Sequence, residues 1–246
     1  MMNRHDRNLL IGIVLIFLAI LCATFVVRAV QDMIAQKAET KKAVLETIYD
    51  TPSYKVDNIE YCGISDGWYE GCAAYACGVM LLSAYGRTST IPMLLETTTF
   101  SKDDEDFVYE YIGDINSEGV IYPKGLVITI NKYLSGNKDY GEIHAQNISH
   151  EGWSYIKANV NLGIPVACWV TKDMQEPEQT DKTFENYTLY KDVNCVVIID
   201  INQDSDSVVY LDPYNNRGKK TIDIATFVDT WEKCGGMAMK IDSATI

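Results

Sequence analysis

Basic charge and histidine are scarce in this sequence. Its 246 residues carry 21 Lys and Arg against 34 Asp and Glu, a formal net charge of −13, with only three histidines. An acidic body of this kind repels nucleic acid and anionic lipid, so no nucleic-acid partner is expected. Three histidines (His5, His144 and His150) leave little basis for a histidine metal centre. There is no CxxC pair, and Cys62, Cys72, Cys77, Cys168, Cys195 and Cys234 are unevenly spaced, several within apolar runs. They read as buried thiols, not as a disulfide or zinc framework. Phosphate loop, dinucleotide fingerprint and metal constellation are all missing, so no cofactor is expected. With 47% hydrophobic residues and no repeat or low-complexity tract, disorder, collagen and a polytopic membrane protein are excluded.

One long apolar run is present. Leu9 to Val27, LLIGIVLIFLAILCATFVV, holds nineteen residues without a charge. At about 1.5 Å per residue, a helix of that length nearly crosses a bilayer core of about 30 Å. A cleaved signal peptide is the alternative, but Ala23 to Ala29 reads ATFVVRA, with no small-x-small site, and Leu21 before Cys22 does not suit a lipoprotein signal. The expectation is an uncleaved anchor. Arg4 and Arg7 on one side balance Arg28, Lys37, Lys41 and Lys42 on the other, so charge does not set the orientation. A short tail before a large domain is the usual layout of a signal anchor, which places the domain outside the cytoplasm. The chain then divides into tail and anchor (1–29), a helical stalk (30–52) ending at Thr51-Pro52, and one domain (53–246).

Within that domain Ala73 to Tyr85 predicts a buried helix, with Cys72 at its entrance, Gly78 allowing close approach and Gly86 as its cap. Ser149 and Glu151 open a second helix, with Trp153, Ile156 and Val160 on one face and Gly163 as its stop. Pro165 to Thr171 is a strand, and Val196 to Ile201 with Val208 to Leu211 form a hairpin. Ile224, Phe227, Val228 and Trp231 trace a last helix, ended by Gly235-Gly236, before an edge strand at Met237 to Ile241. The fold class is α+β, an N-terminal helix on an antiparallel sheet.

A cysteine at a helix N-terminus meets unpaired N–H groups and the positive end of the dipole, which favour thiolate. Cys72 is therefore the candidate nucleophile; a small cysteine that merely fits beneath the helix is the equal alternative. Cys77 and Cys195 read as core, the latter facing away from its neighbour Asn194. Asp103, Asp104, Glu105 and Asp106 lack the glycine and terminal glutamate of an EF-hand and read as a solvated face; Asp204 and Asp206 read as turn residues. Trp68, Tyr69 and Trp169 suit either a peptide groove or core packing.

GWYEGCAAYACGVMLLSAYGR resembles the start of the nucleophile helix in peptidase C39-like proteins, papain-like cysteine peptidases related to bacteriocin-leader peptidases. GDINSEGVIYPKGLVITINKYL, GIPVACWVTKDM and NCVVIIDINQDSDSVVYLDPYN agree with the same family in order and spacing. The resemblance implies a papain-like fold, Cys72 as nucleophile and Asp212 as the carboxylate that orients the base. Where the family has its base histidine, this chain has Asn194. An amide cannot take a proton from a thiol near neutral pH, so the relay lacks its middle member. Ala73 replaces the usual Glu, Asp200 the usual Gly, and no Gln lies between Lys55 and Cys72 to serve an oxyanion hole. Chain order also permits a triad of Cys72, His150 and Asn194, but the resemblance places neither His144 nor His150 at the cleft. A membrane-tethered pseudopeptidase that binds a peptide or protein partner is the expectation. The alternatives are an active cysteine peptidase or acyl transferase using Cys72 with a non-standard base, and a purely structural membrane-complex subunit.

Overall fold

The computed structural model describes residue 28 and residues 58–64, 72–98, 111–114, 118–137, 142–184, 187–214 and 218–243. Two compact units divide the chain, Met1–Thr47 and Ile48–Ile246. In the first, the described residue is Arg28, helical and exposed. The expected anchor at Leu9 to Val27 and stalk at 30–52 lie outside the described residues, as do His5, Trp68, Tyr69 and the acidic run Asp103 to Asp106. Among the described residues no helix is long and apolar enough to cross a membrane.

The second unit is built on α1 (Cys72–Ser83), α2 (Ile91–Thr97), β1 (Tyr111–Asp114), β2 (Glu118–Ile121), α3 (Pro123–Ser135), β3 (Ile143–Asn147), α4 (Trp153–Asn161) and β4 (Val166–Thr171). It continues through β5 (Gln179–Phe184), β6 (Tyr187–Tyr190), β7 (Val193–Asn202), β8 (Ser207–Asp212), β9 (Gly218–Asp223), α5 (Ile224–Lys233) and β10 (Ala238–Ser243). Six strands form one sheet in the order β3-β10-β4-β7-β8-β9, every neighbouring pair antiparallel. β1 with β2 and β5 with β6 make separate two-stranded ribbons.

Helices cover both faces of the sheet. Ala167, Trp169, Cys195, Val197 and Leu211 share a buried cluster with residues of α1, α2 and α3. Val166, Cys168, Val170, Val196 and Ile198 share the other with Ile156 and Val160 of α4 and Phe227 and Trp231 of α5. The alternation of β4 and β7 thus splits their apolar residues between two cores. In β7 the register against β8 shifts between Ile198 and Asp200. One extra residue there resets the alternation, which is why Ile198 and Ile201, three apart, both join the α4 and α5 core.

α1 is apolar almost all round, the pattern of a helix enclosed on every side. A Cβ on Gly78 would sit 3.2 Å from both Ile130 Cδ1 and Leu94 Cδ1, so glycine lets α2 and α3 approach. Gly86, at φ +66°, donates its N–H to Ser83 O at 2.8 Å, and Arg87 N–H reaches back to Leu82 O at 3.0 Å. That left-handed turn stops the helix.

Two expectations need correction. The strand over Met237 to Ile241 is not an edge: β10 lies between β3 and β4, and the edges of the sheet are β3 and β9. The second helix starts at Trp153 behind Gly152, not at Ser149, because the Ser149 hydroxyl is held by β10, donating to Ala238 O and accepting from Ala238 N–H. Trp169 is core: its indole N–H donates to Ile121 O at 2.9 Å.

Candidate active site

Cys72 is the first residue of α1 and fully buried. The four leading N–H groups of a helix have no partner within it, so this position combines the dipole's positive end with donors that favour a thiolate. Complete burial opposes the charge. Cys195 of β7 and Cys77, one helical turn and a half further along α1, belong to the same buried cluster.

Asn194 is the second residue of β7 and Asp212 the last of β8, both buried. Val197 pairs with Leu211 in the ladder, and the same register carries Asn194 to the level of Tyr214, just past the end of β8. There its Nδ2 donates to Asp212 Oδ1 at 3.1 Å, while its Oδ1 accepts the Cys195 N–H at 2.9 Å. Asp212 Oδ1 also accepts the Tyr214 N–H at 3.0 Å, an aspartate turn across Pro213. The Tyr61 hydroxyl donates to Asp212 O at 2.8 Å and accepts from Gly218 N–H at 3.0 Å, and Ile64 N–H donates to Pro213 O at 2.8 Å. The segment Asn58–Ile64 thereby clamps the turn after β8.

The structure brings Asn194 and Asp212 together. His150 lies exposed in the turn before α4, at φ +65°; its N–H donates to Gly236 O. His144 sits on the edge strand β3, paired across to Asp242. Of the chain-order set, His150 is exposed while Cys72 and Asn194 are buried. Among the described residues no cluster of His, Cys, Asp and Glu is arranged to hold a metal ion.

Among the described residues the other cysteines are free thiols, Cys62 half-buried and the rest buried. Burial, then a hydrogen bond to Cys195 and its charge, then the charges of Asp212 and Cys62, push the Cys77 thiol well above its ordinary range. Burial does the same for Cys168 and raises Cys234 to about 12. The signal that sequence reading missed is Tyr61, whose phenol fixes Asp212 from a segment with no motif of its own.

Residues 32–239 match the peptidase C39-like family over most of the chain. The chain belongs to that family. The fold of this C39-like protein is similar to the crystal structure of a Bacillus anthracis protein described as a C39-like peptidase. Sequence identity is 18%, with a TM-score of 0.60, covering 78% of this chain and 98% of that one. It is also similar to the peptidase domain of Streptococcus ComA, a bi-functional ABC transporter involved in a quorum-sensing pathway. There identity is 13% and the TM-score 0.45, covering 75% of this chain and 99% of that one. Among curated proteins none matches this chain.

Proposed function

We propose that this C39-like protein is a membrane-anchored pseudopeptidase: Leu9 to Val27 holds it in the membrane, the domain lies outside the cytoplasm, and its cleft binds a peptide or protein partner without cutting it. The observation that carries this reading is the Asn194–Asp212 pair. Asn194 stands where the family has its base histidine, and its amide is satisfied by Asp212 and the Cys195 N–H. A side chain with no proton affinity, held by the carboxylate that would orient the base, leaves a thiol without activation. Removing the base from such a relay costs several orders of magnitude in rate, because its members act as one unit. Ala73, Asp200 and the lack of a Gln between Lys55 and Cys72 point the same way.

The test is the pH dependence of Cys72 alkylation in the full chain, with Cys72→Ala as blank and Asn194→His alongside. Wild-type Cys72 is expected to label as an ordinary thiol near pKa ~8.5, or not at all, with Asn194→His shifting labelling to lower pH. Cys77, Cys168 and Cys234, all pushed up by burial, stay unlabelled in the native protein at neutral pH. Labelling of wild-type Cys72 well below pH 8, together with peptide hydrolysis lost in Cys72→Ala, overturns the pseudopeptidase reading. The position of Cys72 at the α1 N-terminus is the feature that favours that outcome.

A further inference from the structure

The two edges of the six-stranded sheet are finished differently. At β3 the outward main-chain groups of Ala145 are both taken by one side chain: Asn131 of α3 accepts the Ala145 N–H at 2.7 Å and donates to Ala145 O at 3.0 Å. An amide that bonds both groups does what a neighbouring strand would do, and it closes that edge. Among the described residues no comparable plug covers β9, the opposite edge.

What β9 presents follows from its register. Ser207 pairs with Asp223, and one step further Ile224 N–H donates to Asp206 O at 3.0 Å, so that step is a hydrogen-bonded pair. Antiparallel pairs alternate, which turns the main-chain groups of Ile222 and Lys220 toward β8 and those of Asp223, Thr221 and Lys219 outward. The side chains of these same three residues are exposed, while Lys220 and Ile222, on the other face, are half-buried. The ladder with β8 keeps one register from Asp223 to Gly218, so no bulge bends this edge away from a partner.

The order of charges along the edge says what the partner is. Lys219, Thr221 and Asp223 share one face, basic at one end and acidic at the other. A uniformly acidic strand would suit Lys219 and meet Asp223; a basic one would do the reverse. A second β9 laid antiparallel, Thr221 opposite Thr221, sets each Lys219 beside Asp223 of the other copy and each Ile222 beside the stem of Lys220. Asp223 caps α5 through Oδ1 and, being exposed, has room for a further donor. We propose that β9 is a homodimer edge: two copies pair antiparallel about Thr221 and join their sheets into one, with Lys219 of each beside Asp223 of the other.

Cross-linking of the full chain tests the register. In this dimer the two Thr221 Cα atoms form a hydrogen-bonded pair about 5.5 Å apart, within reach of a disulfide, whereas the two Lys219 positions lie roughly 14 Å apart along the strands. Thr221→Cys is expected to give a covalent dimer on mild oxidation with copper phenanthroline, and Lys219→Cys or wild type about a tenth as much or less. Sedimentation reads the association without a cross-link. Lys219→Glu sets acid against acid and weakens dimerisation by about tenfold or more. Thr221→Pro removes an outward N–H without touching a bond to β8 and abolishes the dimer, thermal midpoints serving to show that the variants fold. Mixing Lys219→Glu with Asp223→Lys restores dimers, since that face of one edge is then acidic and that of the other basic. Equal cross-linking of Thr221→Cys and Lys219→Cys, or a dimer that survives Thr221→Pro, overturns the proposal. So does a chain that stays monomeric: Lys219 and Lys220 are then guards that keep strands off this edge, and retention of octaglutamate by that monomer names an acidic peptide as the occupant instead.

Discussion

Two places along the segment Asn58–Ile64 treat buried polar groups in opposite ways. At one, Ile64 and Tyr61 hold the turn after β8, where Asn194 and Asp212 satisfy each other and the neighbouring backbone. Near the other, beside Glu60 and Tyr61, the Ser89 hydroxyl is buried with no hydrogen-bond partner among the described residues. A network closed without a ligand acts as part of the fold, and its members resist recruitment into chemistry because any new bond must break an old one. A buried hydroxyl without a partner is a cost of about 1–3 kcal/mol that the fold carries. The Asn194–Asp212 pair is thus structurally closed, while the Ser89 hydroxyl is left unsatisfied.

The comparison breaks if the closed network contributes little to stability. Asp212→Ala removes the acceptor of the buried Asn194 Nδ2 and of the half-buried Tyr214 N–H, a buried donor being worth about 1–3 kcal/mol when left unpaired. A loss of about 3 kcal/mol is expected, read as a fall in urea midpoint at unchanged slope. Asp212→Asn keeps an acceptor oxygen and should cost roughly 1 kcal/mol. Equal stability of Asp212→Ala and wild type would mean that the pair is not a structural unit.

A smaller effect tests the clamp. Tyr61→Phe removes the phenol oxygen that bridges Asp212 O and Gly218 N–H while keeping the ring, for an expected cost of about 1 kcal/mol. Phenylalanine keeps the ring, so that loss reflects the two hydrogen bonds and not packing. A double-mutant cycle with Asp212→Asn should show the two changes to be coupled, since they act on the same turn. Additive losses would separate the clamp from the pair.

Much of the scaffold was legible because its elements are long and apolar. α1, β4, the β7–β8 hairpin and α5 stand at or within two or three residues of the runs that suggested them. Cys72 as the first residue of a helix and Asp212 as the end of a strand followed from the same runs. What escaped was decided by partners distant in sequence. β9 reads GKKTID, polar because it is a sheet edge, and β10 reads as an edge until β3 is seen to pair with it. α3 was available to periodicity, since Leu126, Ile130 and Leu134 recur every fourth residue behind Pro123 at the helix start. The bond between Asn194 and Asp212 depends on the β7–β8 register and its bulge, which composition does not set. A cavity beside α1 could not be read at all, for its walls come from three separate segments.

The mildest expected effect concerns another strand-end carboxylate. Asp223 caps α5, its Oδ1 accepting the Thr226 N–H at 2.7 Å, and that backbone bond first, then the Thr226 side chain, hold its carboxyl below the ordinary value of 3.8. The folded state therefore prefers the ionised cap. Its contribution is fully present above the unfolded value near 3.8 and is lost as pH falls through the lower folded value. Asp223→Asn keeps a capping oxygen without a charge, and asparagine caps helices about as well. The thermal midpoint of this variant should stay close to wild type near pH 7, slightly lower for loss of the charge at the helix N-terminus. The gap should close as pH drops below 3.8, because only the wild type has a charge left to lose. A gap that stayed constant with pH would show that the carboxylate's charge plays no part in the cap. Asp223 would then act through its oxygen alone.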